Sequence, residues 1–83
     1  DDKNLEIAFI VPSHWVTWLK PGYRFLYRVN ETGKEYPAKV VQRGAQVDAV
    51  SRSIIMIGRT IADHEELIPG MSGIVNIKPP NKD

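Results

Sequence analysis

Ser13 and His14 stand side by side, Glu65 and Glu66 do the same, and a second histidine, His64, follows Asp63. Hydrolytic and metal chemistry is built from these residue types, yet each set falls short of it. A serine nucleophile needs a base reaching its hydroxyl, usually on a strand–elbow–helix turn. Neighbouring side chains diverge, and no such turn surrounds Ser13-His14, so Ser13 is better read as a helix cap. His14 and His64 with Asp63 or Glu65 make only a scattered zinc set, without the four well-placed ligands of a structural site. The chain has no cysteine, so neither a thiolate site nor a disulfide framework is open to it. Glu65 and Glu66 share one solvated turn and lack the burial that tunes an acid–base pair. Gly70 and Gly73 flank Met71-Ser72 without the Gly-Lys-Ser/Thr ending that cradles phosphates. The expectation is a domain that is not an enzyme, with no catalytic, cofactor-binding or metal-binding residues and with both histidines exposed.

Two aromatic groups offer binding chemistry instead. Tyr23, Phe25 and Tyr27 interleave with Arg24 and Arg28, which suggests the base-stacking strand of an oligonucleotide-binding barrel. A stacking face needs rings and cations on the same side, whereas strand alternation sends them to opposite sides. The rings share their phase with Val29 and with Ala38 and Val40 of the return strand, so they are expected in the core. Trp15 and Trp18 suit interface anchors, but in so small a domain they are expected mainly to bury apolar area. A small-barrel enzyme or flavin-binding domain has only analogy of fold behind it.

The elements that must carry these residues follow from composition and periodicity. With 83 residues, 42% of them hydrophobic, the chain is one domain with a compact core. Six glycines and six prolines favour short strands over long helices. The net charge is +1, with 11 basic and 10 acidic side chains. That balance excludes the strong positive field that draws nucleic acid or an anionic membrane. No apolar run approaches the ~20 residues that cross a bilayer. The start at Asp1-Asp2 suggests a mature product or, in preference, a fragment.

Leu5, Ile7, Phe9 and Val11 alternate with Glu6, Ala8 and Ile10 as one strand, which Pro12 ends. A short helix over about residues 13–20 follows, stopped by Pro21-Gly22, and it is expected to cap one barrel end. Residues 23–43 form a β-hairpin turning at Asn30–Lys34, with Gly33 in a left-handed position. Gly44 and Asp48 punctuate the next connection, where the Asp48 carboxylate is expected to bond nearby amides. Ile54–Ile61 makes a further strand. Asp63–Glu66 has the spacing of a capping box, predicting one helical turn before Pro69. Pro69-Gly70 fits a type II turn, Ser72–Lys78 makes the last strand, and residues 79–83 read as a flexible tail. The sum is mainly β: five or six short strands in a small antiparallel barrel over residues 1–78.

Four stretches in this order resemble the β-barrel domain of the membrane fusion proteins, the periplasmic adaptors of bacterial efflux and secretion systems. Val11-Pro12-Ser13-His14-Trp15 through Leu19-Lys20-Pro21-Gly22 resembles that family's strand, short helix and exit turn. Glu31-Thr32-Gly33-Lys34 with Tyr36-Pro37-Ala38-Lys39-Val40 resembles its hairpin. Val47-Asp48 with Ser51-Arg52-Ser53 resembles the connection that follows, and Leu67-Ile68-Pro69-Gly70-Met71-Ser72-Gly73 its closing turn. The resemblance implies a six-stranded antiparallel barrel with one capping helix, working without catalytic residues or cofactors. It implies a periplasmic adaptor associated with the inner membrane through other parts of the protein. Its partners would be an inner-membrane transporter and neighbouring adaptor subunits, in a pathway to an outer-membrane channel. No nucleic acid and no direct membrane insertion are expected. The family's coiled-coil hairpin, lipoyl halves and membrane anchor are not recognisable in this chain, which therefore resembles only the barrel portion of an adaptor.

Overall fold

Apolar–polar alternation resolves into five strands and one short 3-10 helix in the computed structural model, which describes residues 4–80. The strands are β1 (Glu6–Pro12), β2 (Arg24–Val29), β3 (Glu35–Asp48), β4 (Ser53–Thr60) and β5 (Gly73–Asn76), with the helix at Ser13–Thr17. They form one antiparallel sheet in the order β1-β4-β3-β2-β5, curled until it is nearly closed into a barrel. Successive antiparallel steps leave the two end strands, β1 and β5, running in the same direction. They face one another across a small cleft lined by Phe9, Val11, Trp15, Val75 and Ile77.

Period-two alternation decides which side chains fill the interior. Leu5, Ile7 and Val11 come from the first strand region, and Phe25, Tyr27 and Val29 come from β2. Tyr36, Ala38 and Val40 of β3, with Ile54 and Met56 of β4, complete the wall. Leu19 and Leu67 plug it from the connections. In the β2–β3 hairpin, Tyr27 lies opposite Tyr36 and Phe25 opposite Ala38, so large and small side chains interdigitate. Gly58 is needed on this inner side: a Cβ there would stand 2.8 Å from the Phe25 ring. Thr60 is the one buried polar side chain among the described residues. Its Oγ1 accepts from the Leu5 amide at 2.8 Å, and its own amide donates to the Leu5 carbonyl at 3.0 Å. Among the described residues no helix is long and apolar enough to cross a membrane.

Several expectations are corrected. Among the described residues the strands number five, and the sixth strand of the expected barrel is not among them. Residues 44–48, expected as a connection, extend β3 instead. Irregularities between Val40 and Gln42 and between Arg43 and Val47 absorb the broken alternation. Gly44 is part of that device, since a Cβ there would meet the Ile55 carbonyl oxygen at 2.7 Å. The capping helix of residues 13–20 is one 3-10 segment of five residues. Ser13 belongs to that segment and makes no side-chain cap; its amide donates to the Arg52 carbonyl at 2.9 Å. Tight i→i+3 bonding suits so short a piece, because Pro21-Gly22 leaves no room for further turns. Asp63–Glu66 forms no helix. There Asp63 Oδ1 accepts from the side-chain Nδ2 of Asn4 at 3.0 Å, and Leu67 N donates to the His64 carbonyl in a turn. The last strand is shorter than Ser72–Lys78. Residues 81–83 of the expected tail lie outside the described residues. Pro79 and Pro80 line a groove with Trp15 and Trp18.

The turns follow their residue chemistry. Gly33 has φ +72°, and its amide donates to the Val29 carbonyl at 2.8 Å. Gly70 has φ +100°, as the third position of a type II turn requires, with Met71 N donating to Ile68 O at 3.2 Å.

Candidate interaction surfaces

The sequence sets that suggested chemistry stay apart in space. Ser13 and His14 begin the 3-10 helix, with His14 exposed, while His64 sits in the β4–β5 connection. Among the described residues, no group of three or more His, Asp or Glu side chains converges as a metal site would require. His64 is not exposed, contrary to expectation. Its ring is half-buried edge-on against Tyr36, with centroids 4.8 Å apart, and Nε2 is enclosed without a hydrogen-bond partner. Sequence alone gave no signal of this, because Tyr36 arrives from β3.

Glu66, beside it, has a structural task. The Tyr36 hydroxyl donates to Glu66 Oε2 at 3.0 Å and lies 2.9 Å from Thr32 Oγ1. A bond from its own backbone amide, then that Tyr36 bond, holds the Glu66 carboxyl below its ordinary value. This network ties the β2–β3 turn to the β4–β5 connection. Asn30 and Glu31 extend it by bonding Ser72 through Asn30 Nδ2 (3.1 Å) and Glu31 Oε1 (3.2 Å). Burial, and then the Glu31 charge, push the Tyr27 hydroxyl above its usual value.

The aromatic strand divides as alternation predicts. Phe25 and Tyr27 are 6% and 5% exposed, so neither ring offers a face to a base. Arg24 and Arg28 meet solvent on the other side. Phe9 packs on Phe25 with centroids 5.3 Å apart. Trp15 and Trp18 are half-buried, 4.9 Å apart, and Trp18 meets the edge of Tyr23 at 5.3 Å. Trp15 and Trp18 line the groove bounded by Pro79 and Pro80.

The most exposed apolar surface lies elsewhere. The far half of β3 and the start of β4 project as an arm whose residues 45–52 are all exposed. Val50 at its apex is 96% exposed, and Val47 and Ile55 line a shallow groove along it. Ile55 is paired across the sheet with Ile10, which is likewise outward. Asp48 Oδ1 accepts from the amides of Val50 (3.0 Å) and Ser51 (3.3 Å), which is the Asx-type turn expected at this point. Arg52 follows with φ +56°, the left-handed region.

Comparison with known protein families, with curated proteins and with solved structures found no match to this chain.

Proposed function

We propose that this chain is a structural and interaction domain: the barrel of a periplasmic adaptor that links an inner-membrane transporter to an outer-membrane channel. It acts by rigid geometry and protein contacts, without catalytic groups or cofactor. The observation that carries this reading is the order and placement of the four family-like stretches. They supply, in turn, the β1–helix–exit segment, the β2–β3 hairpin, the β3–β4 turn and the closing turn into β5. The ring-bearing face of β2 is buried, which fits a scaffold rather than a base-stacking platform.

The six-stranded form of the barrel belongs to the same proposal. β1 and β5 run in the same direction with one edge of each unpaired by the other. One further strand, antiparallel to both, closes the ring and satisfies both edges. In this reading that strand is supplied from outside the described residues.

The flanking coding sequence tests the reading. It is expected to encode a signal or lipid anchor and a long heptad hairpin between lipoyl-like segments, and deleting the gene is expected to abolish export of a substrate. A gene lacking all of those parts, or a deletion without an export defect, ends the proposal.

A further inference from the structure

We infer that Pro79-Pro80 is a latch on the Trp15–Trp18 ledge, holding β5 beside β1 where no backbone pairing joins them. The two strands run in the same direction. The 3-10 helix that leaves β1 and the proline segment that leaves β5 therefore emerge at the same end of the barrel. β1 is bonded to β4 and β5 to β2, so nothing in the ladder fixes the distance between these end strands. Side chains bridge them instead. Phe9 and Val11 of β1 share the seam cleft with Val75 and Ile77, and Trp15 lines the same cleft from the helix. Trp15 also lines the neighbouring groove, with Trp18 beside it and Pro79 and Pro80 contributed from the β5 side. One indole thus belongs to both the seam and the groove.

The residue types suit this task. Proline cannot donate to a ladder, so Pro79 and Pro80 end the course of the last strand and continue it as a stiff extended segment. Consecutive prolines favour the polyproline II helix, which loses little freedom on docking and lies well on aromatic ledges. Trp15 and Trp18 form such a ledge, with centroids 4.9 Å apart, and Trp18 in turn rests edge-on against Tyr23 at 5.3 Å. Neither tryptophan is fully buried, and no residue of the 3-10 helix is. The occupant of the ledge is the chain's own segment, because the short tether through Ile77 and Lys78 keeps the prolines at high local concentration there. β5 has only four residues, so a contact just beyond its end matters to its hold on the sheet. Latched, the two end strands stay together; released, β5 parts from β1 and the seam widens to admit a further strand. The inference rests on the fold and stands apart from the adaptor reading.

Tryptophan fluorescence of the 83-residue chain reads the latch directly, because its only two tryptophans are the ledge itself. In Pro79→Gly/Pro80→Gly the emission is expected to move to longer wavelength and acrylamide quenching to rise. Amide hydrogen exchange reads the seam. Ladder alternation, fixed by Asn30 N donating to Ser72 O, makes Ile74 and Asn76 the β5 amides that bond β2. Both are expected to exchange about tenfold faster in the proline variant, by local opening, while the β2–β3 hairpin keeps its protection. Trp18→Leu, which leaves the ladder untouched, is expected to cause the same loss at Ile74 and Asn76. Combining it with the proline changes then adds nothing further, as members of one contact behave. Unchanged emission, or unchanged β5 exchange, in the proline variant overturns the inference. So does a loss shared equally by the hairpin, which marks general destabilisation, and so does full additivity of the two changes, which marks independent contacts.

Discussion

At the residue scale, Thr60 inside the barrel and Glu66 on its surface each have definite partners, and that makes them sensitive reporters. Thr60 supplies the only acceptor for the Leu5 amide, and its shape would be kept by valine. Thr60→Val is expected to lose about 1–3 kcal/mol in urea unfolding, the cost of an enclosed donor left unmade. A loss below that range means that the amide finds water. Glu66 makes an acid-side prediction. Its carboxyl is held below the ordinary 4.5 by its own amide first and by Tyr36 second. A group depressed in the folded state stabilises above its unfolded value and gives that up as pH falls through the lower folded value. Stability is therefore expected to decline on acidification from about pH 4.5 downward, and Tyr36→Phe is expected to shrink that decline without removing it. Urea midpoints at neutral and acid pH measure both. Identical acid losses in parent and Tyr36→Phe protein would show that the hydroxyl contributes nothing.

At the element scale, β2 decides between scaffold and nucleic-acid binding. Its rings are inside and its arginines outside, so single-stranded oligonucleotide titrated at low salt is expected to leave the amide resonances of residues 23–29 in place. Shifts confined to that strand would reinstate the stacking reading. Here too the limits of sequence reading become visible. The burial of Phe25, Tyr27, Tyr36, Ala38 and Val40 was legible, because regular alternation in a hairpin gives each side chain its face. The two Gly turns were legible from residues that tolerate positive φ. The outer half of β3 was not, because its bulges break the period and Gly44 looks like a stop. In fact glycine is there because the Ile55 carbonyl comes too close for a side chain. The helix class was hidden as well: five residues between Pro12 and the exit turn carry no periodicity long enough to separate 3-10 from α. The half-buried His64 depends on a ring that is remote in sequence, and nothing local announces it.

At the scale of the whole molecule, the strand order has a consequence for how the chain becomes a barrel. β1 is first in sequence but hydrogen-bonds only to β4, and the Leu5–Thr60 pair joins residues 55 apart. The β2–β3 and β3–β4 pairs close short loops, while β1 must wait for a long one, whose closure entropy is paid late. The order of events is then hairpins first and β1 last. Ile7→Val in the core of β1 is expected to speed unfolding while leaving the refolding rate nearly unchanged, whereas Val40→Ala in β3 slows refolding. Stopped-flow chevrons read both, and equal effects on refolding would reject the sequence of events. During synthesis, a strand that emerges first and pairs last spends that interval with its apolar side chains uncovered, so nascent β1 is the segment of this domain most in need of a chaperone's shelter.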